Sequence, residues 1–396
     1  MTATIDGVTL DRSERARAFW SVMTTFLIHG LCFSAWVSRI PSVKTLLGLS
    51  DGVLGLSLLG SAMGSVTAIP LSGTLVAHFG ARRVTMWTSY GFSLALALPA
   101  FAQGPLRLFA ALFVFGAMAG ANDVAMNAEA VATERLLGVR AISRFHGMFS
   151  VAGMAGSAAG ALIASRGVAP VPHLAISALV LVGITVAASS LMPEVPAVES
   201  SAKSKSLFRK LPPALVALSA IGFCMLLSEG AVADWSGVFL KQVIHTSDGF
   251  APLGYAVFSA AMAIFRMLGD WISTRIGGDA TVRFGASIAA AGLLFVVLAT
   301  QPWQVLIGLT ATGVGFSSII PLVFAAGGRF KSVAPGIGVA TVSGLGYLGF
   351  LVGPPMIGFV SQASSLRWGL FLLVVLSAIA AGLVGLVNRR DPELWR

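Results

Sequence analysis

The residues best able to do chemistry lie in one apolar stretch that contains Gly120, Asn122, Asp123, Asn127, Glu129, Glu134 and Arg135. A carboxyl group among apolar neighbours can take up and release a proton. A carboxamide beside it can hydrogen-bond that carboxyl or a polar solute. At about 100° per residue on a helix, Asp123, Asn127 and Glu134 fall within about 40° of one another and form one polar stripe. Glu129 points elsewhere, with Arg144 or His146 as its expected partner. An ionised group at the middle of a bilayer costs about 2.5–3.5 kcal/mol on insertion scales. An acid kept there therefore either moves protons or solute, or is neutralised by a partner and ties helices together.

Two further stretches carry polar groups in apolar surroundings. His29, Phe33 and Trp36 share a helix face at i, i+4 and i+7, with Ser34 nearby. A histidine there can relay a proton or simply donate a hydrogen bond. An aromatic ring beside polar groups can stack on a sugar or a drug, or anchor the helix at a membrane interface. Arg39 and Pro41 are expected to close that helix, with Arg39 reaching out to the interface. Glu229, Asp234 and Trp235 lie in a third stretch. The two acids are about 140° apart on a helix, so Glu229, nearer the middle, is the better candidate for the solute path. Cys32 and Cys224 both sit in apolar runs and read as packing residues, with no disulfide. No metal-ligand spacing, nucleophile–base pair or mid-span lysine stands out, so neither an enzyme nor a bound cofactor is expected.

These residues need elements to position them. The chain has 396 residues, 56% hydrophobic and only 11% charged, with 45 glycines. Soluble domains carry about 25% charged residues. Apolar runs of about 20 residues, the length that crosses a bilayer, occur near 18–38, 52–77, 84–102, 106–134, 144–165 and 173–192, then near 213–240, 250–276, 282–300, 303–327, 334–361 and 367–388. One polar linker separates the two sets. The expected division is therefore 1–192, an N-terminal bundle of six helices; 193–212, a cytoplasmic linker; and 213–396, a C-terminal bundle of six. The fold class is an all-α membrane protein of twelve transmembrane helices in two pseudo-symmetric halves. Many secondary transporters are built this way, with the solute site between the halves.

The net charge of +10 would suggest nucleic acid in a soluble protein, but here the basic residues sit in short loops and read as a topology signal. With the N-terminus inside, only Arg39, Lys44, Arg107, Arg166, Lys241 and Arg367 of the 26 basic residues fall outside. Both termini are therefore expected in the cytoplasm. The first span follows Arg12, Arg15 and Arg17 without a small-residue cleavage site and reads as a retained helix.

The halves also match in sequence. Gly73 to Arg83 follows the second span and Leu268 to Gly277 follows the eighth; each places a basic residue two before a glycine. Aligned on glycines, Asp123 corresponds to a serine in the tenth span, so the acid belongs to the first half alone. Gly153, Gly156 and Gly160 in span five, and Gly346, Gly349, Gly353 and Gly358 in span eleven, read mainly as close helix packing. Pro354 and Pro355 are expected to bend span eleven.

The loop after span two resembles the loop motif of the major facilitator superfamily, roughly G-x-L-x-D-R-x-G-R-R. Gly73, Leu75, Gly80 and Arg82 fit, whereas Ala77 and His78 replace an acid and a base. Asp270 and Arg275 belong to the second copy, and the resemblance implies a cytoplasmic gate or loop role for all of these. Span four resembles the fucose permease-type sugar–proton symporters of that superfamily, whose helix carries G-x-x-E-x-x-x-N-P. Gly120, Asp123 and Asn127 match, with Asp for Glu and Ala128 for Pro. The resemblance implies that Asp123 is protonated in step with solute binding. Span one keeps Gly30 and Pro41 at that branch's spacing, but Val37 stands where it has a second acid. The pattern H-G-x5-W-x-x-R-I-P, from His29 to Pro41, is similar to that of poorly characterised bacterial inner-membrane relatives of the branch.

The expected function is secondary transport of a small solute by alternating access, coupled to protons, with a sugar- or cyclitol-like solute favoured. A proton-driven exporter of drugs or metabolites is the main alternative, and a non-transporting membrane sensor a remote one. Asp123 and Glu229 are the expected proton-coupling residues; His29, Trp36, Asn122, Asn127 and Trp235 the expected solute contacts. The expected partners are the solute, H+ and the lipid bilayer, with no nucleic acid, in a monomer of the bacterial-type inner membrane.

Overall fold

Pro105, Pro170, Pro213, Pro302 and Pro335 each open a helix. Proline suits this position because its fixed φ fits the first turn and its missing N–H would be unpaired there anyway. The computed structural model describes residues 4–5, 8–9, 11–138, 141–191, 211–330, 333 and 335–395. Most of the polar linker, with Lys203, Lys205, Arg209 and Lys210, lies outside the described residues, as do Arg140, Lys331 and Arg396.

A two-residue strand pair, Thr4–Ile5 with Val8–Thr9, precedes the helices. The helices are α1 Arg12–Leu46, α2 Asp51–Phe79, α3 Ala81–Ala95, α4 Pro105–Leu137, α5 Ile142–Ser165, α6 Pro170–Leu191, α7 Pro213–Gln242, α8 Leu253–Ile276, α9 Gly278–Leu298, α10 Pro302–Phe316, α11 Ile319–Gly327, α12 Pro335–Ala363 and α13 Leu366–Arg390. With α10 and α11 as two pieces of one span, there are twelve helical spans among the described residues, of which 11 are long and apolar enough to cross a membrane. α3 alone is too short for that measure. Exposed leucines such as Leu106, Leu179 and Leu298 suit hydrocarbon contact rather than water.

The chain packs as two units: Met1–Arg39 with Gly60–Ser200, and Ile40–Leu59 with Ser201–Arg396. In the first, Phe26 and Phe145 stack at 5.8 Å among Val22, Met23, Met126 and Ala130, which joins α1, α4 and α5. Gly156 and Gly160 of α5 lie so close to Ser34 and Ser38 of α1 that an added Cβ would clash with those hydroxyls. In the second unit, Gly349 of α12 would clash in the same way with the backbone of Phe223 and Leu227 on α7. Gly156, Gly160 and Gly349 thus serve close packing.

Four details differ from expectation. α1 does not close at Pro41 but runs through it to Leu46, because an interior proline removes only one ladder bond, here to the Val37 carbonyl. Arg39 does not reach the interface: it is 1% exposed and donates through Nε to His173 Nδ1 at 2.7 Å. Span three stops at Ala95 and continues as a 3-10 turn, Leu98–Phe101, since Pro99 disfavours the α conformation at Leu98. Span ten is broken between Phe316 and Ile319. Pro321 cannot donate to the Ser317 carbonyl four residues back, and Arg266 Nε donates to that carbonyl instead, at 3.2 Å. Arg266 itself lies well inside α8.

Candidate functional site

His29 of α1 and Asn122 of α4 meet in the first unit. His29 Nδ1 lies 2.8 Å from Asn122 Oδ1. The Asn122 amide nitrogen donates to Ser89 Oγ at 2.8 Å, Thr88 Oγ1 at 3.0 Å and the Thr85 carbonyl at 3.3 Å, all on α3. A carbonyl only accepts, so the amide nitrogen must face Thr85 and the amide oxygen must face His29. The hydrogen of a neutral His29 is thereby placed on Nδ1, and its Nε2 keeps a lone pair. The Phe92 and Phe149 rings flank the imidazole at 4.9 and 5.7 Å. Asn122 has no exposed surface.

One residue further along α4, Asp123 lies near enough to His29 for their charges to act on each other. Asn127, a turn later, donates through Nδ2 to the Asp123 carbonyl at 2.8 Å and to its Oδ1 at 3.1 Å. Its Oδ1 faces Nε2 of His146 on α5, at 3.1 Å. By the same reasoning, His146 carries its hydrogen on Nε2. The result is a chain of polar groups: His146, Asn127, Asp123 and His29, with Asn122 and the α3 hydroxyls behind. Asp123, Asn127 and His146 keep some exposed surface.

Two expected partnerships are corrected here. His146 is taken by Asn127 and not by Glu129. Glu129 is buried, with the positive charge of Arg82 acting on it, while Arg144 is exposed. Glu134 does not extend the polar stripe but turns to the start of α5, where its carboxylate accepts the Ala141 and Ile142 N–H groups, the latter at 3.0 Å. An N-terminal helix end offers unpaired donors, and a carboxylate there is stabilised by them.

Of the loop-motif residues, Gly80 and Gly277 take the left-handed backbone at the α2–α3 and α8–α9 junctions, with φ 81° and 90°. Gly73 lies on α2 with no atom near its missing side chain. Arg82 is in the first turn of α3. Asp270 is exposed on α8, and the Arg275 guanidinium lies 4.4 Å over the Trp271 ring.

Trp36 is 2% exposed and Trp235 has no exposed surface. In the second unit, the charges of Glu229, Asp234 and Arg266 all act on Tyr255, which assembles a polar cluster of α7 and α8. Sequence reasoning missed Tyr255 and Arg266 as members. The signal for Arg266 was its place well inside an apolar run, eleven residues before the glycine pair. His146 and the α3 hydroxyls were missed as partners of the first cluster because hydrogen bonds across helices leave no trace in spacing. No group of three metal-ligating side chains occurs among the described residues.

The helical architecture, with a polar chain inside its first unit, is that of a multi-pass membrane protein. A family model for the Major Facilitator Superfamily matches residues 18–333, and the chain belongs to that family. It is 33% identical to an uncharacterized transporter of the same type from Yersinia pestis, over 91% of this chain and 94% of the relative. It is 31% identical to the membrane protein MosC of Rhizobium meliloti, over 91% and 88%. A solved bacterial homolog of the human lysosomal transporter Spinster superposes with TM-score 0.72 over 98% of this chain and 99% of that one, at 15% identity. Membership implies a small-molecule substrate.

Proposed function

We propose that this protein is a proton-coupled secondary transporter of a small polar solute, of the sugar or cyclitol class. It works by alternating access of two halves, 1–192 and 213–396, in a bacterial-type inner membrane, as a monomer with both termini in the cytoplasm. One observation carries the coupling: Asp123 sits in a membrane-spanning helix, partly exposed, bonded to Asn127 and within reach of His29. An acid in that position can be neutral or charged, and the histidines offer neighbouring stations for the proton.

In this reading Asp123 takes the proton, His29 and Glu229 tune or share the charge, and Asn127 offers its carboxamide to the solute or to the protonated acid. Trp36, Asn122 and Trp235 are covered by protein, so they act from behind the solute surface in the state described. Gly73, Gly80, Arg82, Asp270 and Arg275 belong to the proposed cytoplasmic gate. The resemblance of span four to the fucose permease-type symporters supports the polar solute class.

Reconstitution into vesicles containing a pH-sensitive dye tests this. Sugars, cyclitols and lipophilic cations are added in turn under a pH gradient. A polar solute that moves protons with it in the native protein, but not in Asp123→Asn, is expected. Solute accumulation that responds to the gradient equally in Asp123→Asn overturns the coupling role. Proton movement with lipophilic cations alone favours the exporter.

A further inference from the structure

The bond between Arg39 and His173 lies outside the proposed solute site and does something different. Arg39 is on α1, 1% exposed; His173 is in the first turn of α6, 5% exposed. Arg39 Nε donates to His173 Nδ1 at 2.7 Å. An arginine side chain only donates and keeps its charge at every physiological pH. His173 Nδ1 must therefore present a lone pair, and the imidazole in this bond must be neutral. Unlike an arginine–carboxylate pair, this bond cannot survive protonation of its acceptor. A second proton would remove the lone pair and place two positive charges at 2.7 Å.

We infer that Arg39 and His173 form an acid-released latch between α1 and α6. Imidazole is the neutral acceptor that a single added proton turns into a cation. Arg39 is the charged group acting on the His173 ring, and α5 meets that ring with Gly160, which brings no charge. Both partners lie toward the same end of their helices, where α1 finishes and α6 begins, so protons reach the latch from that aqueous face.

The latch stands at a weak point of α1. Two residues on, Pro41 cannot donate to the Val37 carbonyl, so the helix lacks a ladder bond there. Arg39 is also the last α1 residue packed in the first unit, and Ile40–Leu59 packs in the second. Loss of this bond therefore removes one tie between α1 and α6 just before α1 leaves the first unit. In a carrier this would let acid on one face ease the movement of that helix, independently of the solute carried and of Asp123.

The test needs no substrate. Hydrogen–deuterium exchange of residues 37–46 is measured for the full chain in lipid nanodiscs at about pH 8 and about pH 4, with the intrinsic pH dependence of exchange removed. In the native protein the acid condition should raise opening by about tenfold, the scale expected for loss of one charge-assisted hydrogen bond. His173→Gln keeps an acceptor that does not titrate, and should show equal protection at both conditions. Arg39→Gln should be open at both. An acid effect that persists in His173→Gln, or none in the native protein, overturns the latch. Nitrogen NMR of the native imidazole is the second measurement, independent of any variant: protonated Nδ1 at neutral pH also overturns it.

Discussion

Nε2 of His146 lies 3.1 Å from Oδ1 of Asn127, and the same carboxamide donates to Asp123 on its other side. A neutral amide thus joins a titratable ring to a titratable acid, with its orientation set by the Asp123 carbonyl. His29 on α1 is near enough to the acid for their charges to interact. The arrangement puts two bases around one carboxyl group within a single helical unit, where each can respond to the proton on the others.

Asn122 is the structural keystone behind this chain, and Asn122→Ala should destabilise the protein by about 2 kcal/mol. The substitution leaves the His29 N–H and the Ser89 and Thr88 hydroxyls facing an empty, water-poor space. Thermal unfolding in detergent should show a clear fall in midpoint. Asn122→Asp keeps the acceptor toward His29 but loses the donors to α3, and should fall in between. An unchanged midpoint for Asn122→Ala would remove the keystone role.

Lys44 and Asp51 pair at 2.9 Å with side chains 6% and 18% exposed, and Ser361 donates to the same carboxylate. Gln362 accepts from Ser50 Oγ and the Gly52 N–H, both at 2.9 Å. Asp51→Leu alone should cost about 3 kcal/mol, because it strands a buried ammonium group. The double change Lys44→Met with Asp51→Leu should recover most of that loss. Unfolding midpoints of the three proteins check this, and equal loss in the single and double variants would argue against a stranded charge.

Asp11 and Glu14 cap the start of α1 reciprocally: Glu14 N–H donates to Asp11 Oδ1 at 2.7 Å, and Asp11 N–H to Glu14 Oε2 at 2.9 Å. The Glu14 backbone N–H, and then the Ser13 hydroxyl, hold the Asp11 carboxyl below the usual aspartate range. The folded value is thus depressed. The cap is at full strength above the ordinary aspartate range and is lost as pH falls through the folded value. Exchange of the Glu14 amide should therefore quicken in acid in the native protein and stay level in Asp11→Asn, once intrinsic rates are removed.

Much of the fold is legible in the residue string, for particular reasons. Apolar runs of membrane length between Pro and Gly signals mark the spans, since lipid leaves the backbone no partner but its own helix. Gly80 and Gly277 illustrate how the duplication shows through. Each sits just past a basic residue in its half, and each adopts nearly the same backbone, φ 81° and ψ 149° against φ 90° and ψ 153°. Asp123, Asn127 and His29 stood out because polar groups are expensive in such runs. The break in span ten was missed although Pro321 announces it. Whether a proline ends a helix depends on what receives the freed carbonyl, and here that is Arg266, 51 residues away.

The sequence by itself determined the membrane class, the spans, the duplicated plan and the short set of polar residues worth attention. Each of these follows from local composition and from the cost of polar groups in hydrocarbon. Only the tertiary structure decided who meets whom: His146 with Asn127 rather than Glu129, Glu134 with the start of α5, and Arg39 with His173 rather than with water. Those choices depend on side chains from helices far apart in the chain arriving within about 3 Å of one another. Helical periodicity sets the face on which a residue lies, but packing sets which neighbour that face receives.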